Sequence, residues 1–120
     1  HREVVAIIGD GGFQMTIQEL GTIMQNNIDI KILILNNQFL GMVRQWQQLF
    51  HERRYSFVDI ESPDYVAVAK GYRIEGNSVS GRSDLKSALK TMIEHKGPYL
   101  LEVMVFQRMI LQEGNPFMIY

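Results

Sequence analysis

The chain contains no cysteine. That excludes disulfides, thiolate metal sites and a cysteine nucleophile, and it fits a reducing setting, with the cytoplasm as the expected compartment. No apolar run approaches the roughly 20 residues that a membrane-spanning helix needs. Charge of either sign is not in excess: 12 basic and 13 acidic residues leave a net charge of −1. No broad attraction to nucleic acid or to an anionic membrane is therefore expected. His1, His51 and His95 are too scattered to suggest a histidine metal cluster. There is no internal repeat or low-complexity stretch. What remains is 120 residues, 46% hydrophobic and 21% charged, an ordinary composition for one compact domain.

The apolar residues alternate between two periods. Val4-Val5-Ala6-Ile7-Ile8 is a short continuous run, as in a parallel strand buried on both faces. It starts directly after His1-Arg2-Glu3, which is unlike a signal peptide. Since nothing upstream supplies its neighbours, the 120 residues are expected to be a piece of a longer protein. Phe13, Ile17, Leu20 and Met24 share one helical face and predict a helix over 13–26. Residues 28–35 predict a second strand, closed by Asn36-Asn37. A helix over 42–50, an irregular polar segment over 51–62 and a helix from Pro63 to Gly71 follow. A short strand is expected over 72–75, an amphipathic helix over 84–95 stopped by Gly97-Pro98, and a final strand over 99–106. Strands separated by helical segments imply βαβ units. The expected fold class is α/β, three-layer α/β/α with a mostly parallel sheet, over residues 1–106, followed by a tail at 107–120.

Ligands of open α/β sheets bind beyond the carboxyl ends of the strands. Two such ends carry small polar turns, Gly9-Asp10-Gly11-Gly12 and Asn36-Asn37. Glycines let backbone approach a ligand, and amides at a helix N-terminus attract phosphate oxygens. A carboxylate at Asp10 beside a phosphate site makes sense if a divalent cation lies between them, and Mg²⁺ takes one or two protein oxygens plus phosphates. Asn37 offers a neutral carbonyl oxygen at the end of the next strand. Taken singly, each turn is generic, and Met42 and Trp46 at i, i+4 read as packing residues. The spacings G-x-G-x-x-G and G-x-x-x-x-G-K-[ST] are absent, which argues against dinucleotide and P-loop sites.

Taken together, Gly9-Asp10-Gly11 and Asn36-Asn37 resemble the paired motif of the thiamine-diphosphate enzymes, with Asp10 preceding Asn37 by 27 positions. The following Gly41-Met42-Val43-Arg44-Gln45-Trp46-Gln47 is similar to the large catalytic subunits of the acetolactate synthases, and the resemblance runs from about Val4 to Val105. The tail departs from it. The resemblance implies Mg²⁺ ligation by Asp10, Asn37 and the carbonyl of Phe39. It implies cofactor contacts from Gly9, Gly11, Gly12, Gly41 and Met42, and a substrate channel bordered by Met42, Val43 and Trp46. It implies thiamine diphosphate, Mg²⁺ and FAD as cofactors, with FAD bound mainly outside this chain. The activity implied for the full-length protein is decarboxylation of pyruvate and joining of the two-carbon unit to a second 2-keto acid, such as 2-ketobutyrate. A homodimer or homotetramer, with a small regulatory subunit, is implied as the assembly. No residue here matches the family glutamate that activates the aminopyrimidine, so no catalytic residue is assigned and the piece alone is expected to be inactive. The alternatives are another thiamine-diphosphate decarboxylase, oxidase or carboligase, and a non-catalytic phosphate-binding α/β module. His51-Glu52-Arg53-Arg54 reads as a solvated loop or as a segment that covers the site.

Overall fold

A computed structural model describes residues 2–105; the expected tail at 107–120 lies outside them. Four strands form one all-parallel sheet: β1 (Val5–Gly9), β2 (Lys31–Asn36), β3 (Glu75–Val79) and β4 (Tyr99–Met104), in the order β1-β2-β4-β3. Five helices lie between them: α1 (Asp10–Met15), α2 (Glu19–Asn26), α3 (Gly41–Phe50), α4 (Tyr65–Gly71) and α5 (Arg82–Glu94). None is long and apolar enough to cross a membrane.

Residue alternation along the strands sorts the core into two layers. Ile32 and Ile34 of β2 and Leu100 of β4 pack with Phe13, Leu20, Tyr65 and Ala69 of α1, α2 and α4. Leu33, Leu101 and Val103, which point the other way, pack with Ala88 and Met92 of α5. Fully buried residues such as Ile34, Leu100 and Leu101 contribute about 1.5–3 kcal/mol each. The three-layer α/β/α arrangement expected from the sequence is thus present.

Several local expectations shift for identifiable reasons. β1 is the edge of the described sheet, not a strand buried on both faces. Its register partner is β2 alone, and the layer built on α5 reaches no further than Leu33 of β2, so Ile7 is 67% exposed. The helix expected over 13–26 is two helices. The first begins at Asp10 and ends where the Thr16 amide turns back to the Phe13 carbonyl. Pro63 precedes α4 instead of starting it, because Asp64 is the N-cap and its carboxylate accepts from the Ala67 amide at 2.8 Å. The strand expected over 72–75 begins at Glu75. Tyr72 and Arg73 are used to close α4, with Arg73 left-handed at φ 58° and the Ile74 amide returning to the Ala69 carbonyl.

Candidate functional site

Parallel pairing of β1 with β2 sets Gly9 beside Leu35, so the two polar turns leave the sheet side by side. They open into a cleft of about 420 Å³ whose lining includes Gly9, Asp10, Gly11, Gly12, Asn37 and Phe39. Leu40, Gly41, Met42 and Val43 form its far wall. Of the ten site residues expected from sequence, nine line this cleft. Trp46 lies one helical turn further along α3, 58% exposed.

Asp10 is 1% exposed. Its Oδ2 accepts from the Gln38 amide at 3.1 Å and from the Ser62 hydroxyl at 3.3 Å. Among the described residues, neutral groups are its hydrogen-bond partners and no basic side chain pairs with it. A buried carboxylate is costly without a cation. Both hydrogen bonds fall on Oδ2, which leaves Oδ1 as a donor to a metal.

The second turn is built by side chains that bond their own backbone. Asn37 Oδ1 accepts from the Phe39 amide at 3.0 Å, and Asn36 Oδ1 from the Gln38 amide at 3.0 Å. An amide oxygen has a second lone pair, so Asn37 can still ligate a cation. Phe39 bridges Asp59 in antiparallel fashion, but the bonds of that bridge use its neighbours: Leu40 N to Val58 O and Ile60 N to Gln38 O. The Phe39 carbonyl is therefore left out of the ladder. One carboxylate and two neutral oxygens form a hard donor set, suited to Mg²⁺ that keeps phosphate oxygens in its remaining positions. Among the described residues there is no group of three His, Cys, Asp or Glu side chains that could hold a metal by itself.

The glycines serve the site in different ways. A Cβ on Gly11 would stand 2.7 Å from Ile60 Cδ1 and 2.9 Å from Leu40 Cδ2, so this position is closed by packing. A Cβ on Gly9 would meet nothing within 4 Å, which leaves its backbone open to a ligand. The amides of Gly11 and Gly12, in the first turn of α1, are among those a helix cannot satisfy internally.

Four contributors were not singled out from sequence. Tyr65 is fully buried, donates its hydroxyl to the Asp10 carbonyl at 3.1 Å and sets its ring edge-on to Phe13. Burial raises its pKa above 10.0. The nearby Asp10 and Glu102 charges act the same way, and the Ser62 hydrogen bond partly opposes them. Ser62 completes the Asp10 shell. Gln38 takes φ 61° between the two Asn-turn bonds. Glu102 accepts from Asn36 Nδ2 at 2.8 Å. Only Glu102 carried a sequence signal, as a carboxylate inside the otherwise apolar run Tyr99–Met104.

α3 has no buried residue. It is tied down by its polar side: Gln47 exchanges two hydrogen bonds with Ser56, at 3.0 and 2.9 Å, and Arg44 lies 3.9 Å over the Phe39 ring. Met42, 68% exposed, Val43 and Trp46 form its open apolar side. Residues 51–54 are exposed.

The family description "Thiamine pyrophosphate enzyme, C-terminal TPP binding domain" matches residues 1–103; thiamine pyrophosphate is thiamine diphosphate. The acetolactate synthase isozyme 2 large subunit of Escherichia coli (strain K12) is 46% identical over 103 residues, covering 85% of this chain and 19% of that protein. The mitochondrial acetolactate synthase of Schizosaccharomyces pombe is 46% identical over 105 residues, covering 88% and 16%. Among solved structures, a thiamine diphosphate-dependent 4-hydroxybenzoylformate decarboxylase of Rhodococcus jostii RHA1 superposes with a TM-score of 0.81 at 30% identity. That alignment covers 88% of this chain and 20% of the other. The chain thus spans less than a fifth of these two acetolactate synthases. Since the family match runs through nearly all the described residues, and the same fold recurs in a solved thiamine diphosphate enzyme, the chain belongs to the thiamine pyrophosphate enzymes and carries their C-terminal TPP-binding domain.

Proposed function

We propose that the cleft between the β1 and β2 turns binds the Mg²⁺-diphosphate end of thiamine diphosphate. Asp10, Asn37 and the Phe39 carbonyl would hold the cation. The Gly11 and Gly12 amides would meet diphosphate oxygens, with Gly9, Gly41 and Met42 lining the cofactor's path. The observation that carries this reading is the Gln38 amide. By donating to Asp10 Oδ2 at 3.1 Å, it brings the buried carboxylate against the residue that follows Asn37. When bound, thiamine diphosphate would supply the carbanion-stabilising chemistry that cleavage and joining of 2-keto acids require. This chain's share is to bind and orient the diphosphate, and to present Met42, Val43 and Trp46 as one wall of the substrate path.

For the full-length protein we propose acetolactate synthase activity on pyruvate and a second 2-keto acid, in the cytoplasm. FAD, a homodimer or homotetramer and a regulatory subunit would be supplied outside this chain. Identities of 46% to two acetolactate synthases support this over a decarboxylase role, for which the 30%-identical solved structure speaks. Domain limits at residues 1–106 and 107–120 are part of the same proposal.

The test is calorimetric titration of the full-length protein with thiamine diphosphate, with and without Mg²⁺. Binding should need Mg²⁺ and fall at least about 100-fold in Asp10→Ala, more than the usual loss for an outer partner of a ligand. Metal-independent binding that survives the substitution would defeat the proposal. Assaying acetolactate against simple decarboxylation product from pyruvate separates the two activities.

A further inference from the structure

Glu102 is a buried carboxylate with a neutral partner. It sits in β4 between Leu101 and Val103, 7% exposed, in register with Ile34 of β2 and Ser78 of β3. A carboxylate there costs free energy that an apolar residue would not. Its described hydrogen bond is to Asn36 Nδ2, at 2.8 Å and also buried. An ionised carboxylate can only accept, so this contact fixes which way the Asn36 amide faces. With Nδ2 held by Glu102, Oδ1 must point to the Gln38 amide, which it meets at 3.0 Å. The same amide donates to Asp10 Oδ2 at 3.1 Å.

Gln38 is the residue that this arrangement constrains. Its φ of 61° is a conformation that a non-glycine residue keeps only where its surroundings hold it. Asn37 and Phe39 flank it. The direction of the Asn37 side chain and of the Phe39 carbonyl therefore depends on the φ that the Asn36 amide maintains. We infer that Glu102 is a positioning residue: through the orientation of the Asn36 amide it holds the 36–39 turn in the geometry that presents Asn37 and Phe39 to the cation. The inference rests on the reading of Asp10, Asn37 and Phe39 as cation ligands.

The test uses the full-length protein, with two readouts: the Mg²⁺ concentration that half-saturates thiamine diphosphate binding, and the melting midpoint of the cofactor-free protein. Glu102→Leu should raise the Mg²⁺ requirement about 10–100-fold, the range for outer partners of metal ligands, whatever it does to the cofactor-free melting midpoint, since it both removes a buried charge and leaves the buried Asn36 Nδ2 without its acceptor. Asn36→Asp, which sets two carboxylates against each other, should also raise it. The double substitution Glu102→Gln with Asn36→Asp exchanges donor and acceptor across the same contact. It should bring the requirement back to within a few-fold of the unsubstituted protein. If Glu102→Leu melts earlier yet needs no more Mg²⁺, or if the exchange rescues nothing, the positioning role is overturned. The double substitution keeps the test open should Glu102→Leu not fold. Failure of the underlying cation reading would show separately, as Mg²⁺-independent binding in the unsubstituted protein or full affinity in Asp10→Ala.

Discussion

The two ends of the β1–β2 pair each hold a buried charge, and they satisfy it in opposite ways. At the amino end, Lys31 is fully buried. Its Nζ meets Asp29 Oδ1 and the Gly97 carbonyl, both at 2.6 Å, with Glu3 Oε2 at 4.0 Å. At the carboxyl end, Asp10 has an amide and a hydroxyl as its described side-chain partners. The first end is electrostatically complete without any ligand and serves as a structural clamp between the β2 and β4 ends. The second holds a carboxylate without its counter-charge among the described residues, and that is the end with the cleft. A buried charge is informative about function when its neutralising partner is missing.

Substitutions can break this contrast, and the largest effect is expected at the clamp. Lys31→Ala removes a buried cation, strips the Gly97 carbonyl of its donor and leaves a cavity. The cavity and the unsatisfied carbonyl should cost about 2–5 kcal/mol in a denaturant titration, whereas Lys31→Met should cost less, because it keeps the volume. Neither change should alter the Mg²⁺ dependence of thiamine diphosphate binding. At the other end the order reverses. Asp10→Asn should leave the cofactor-free protein at least as stable as before, since it removes an uncompensated buried charge. The same change should lower Mg²⁺-dependent affinity by about 100-fold, or ~2.7 kcal/mol. A drop in stability comparable to that of Lys31→Ala would show that the two ends are alike after all.

Gly11→Ala is expected to cost about 1–3 kcal/mol by overpacking against Leu40 and Ile60. Gly9→Ala, which meets no atom within 4 Å, should cost less in stability and act on cofactor affinity instead. Comparing melting midpoints with affinities for the two variants checks both statements.

The pH response sharpens the comparison further. The hydrogen bond from Lys31 holds the Asp29 carboxyl below 3.8, against an opposing effect of burial. Its folded value is lowered, so its contribution is present above pH 3.8 and is lost as pH falls through the folded value. Tyr65 is raised above 10.0 by burial. Its contribution is present below pH 10 and is lost as pH rises through the folded value. Lys31→Met should therefore flatten the acid limb of a stability–pH curve, and Tyr65→Phe the alkaline limb. Tyr99, also raised by burial, keeps part of the alkaline limb. The smallest effect is expected at Trp46→Ala, within about 0.5 kcal/mol of stability for an exposed position, measured by the same denaturant titration.

The α/β class and most elements were legible because apolar periodicity is a local property of the chain. β2, α3 and α5 fall within a few residues of their sequence expectation. The two turns were legible as a pair because Asp10 and Asn37 sit at corresponding ends of adjacent parallel strands. The break between α1 and α2 and the late start of β3 were not legible. Both follow from backbone hydrogen bonds that end a helix, which several sequences could make equally well. Tyr65 and Ser62 were also missed: they reach Asp10 from more than 50 positions away, and no spacing rule spans that distance.

By itself, then, the sequence determined most of the strands and helices, and which oxygen-bearing side chains stand at the ends of β1 and β2. Those features depend on residue type and on separations within one or two elements. The tertiary structure alone decided that Asp10 is buried beside neutral donors, that Gln38 is held left-handed, and that Glu102 orients Asn36. Each of these depends on packing that sets atoms from distant parts of the chain within hydrogen-bond reach, where the cost of a buried charge depends on its neighbours.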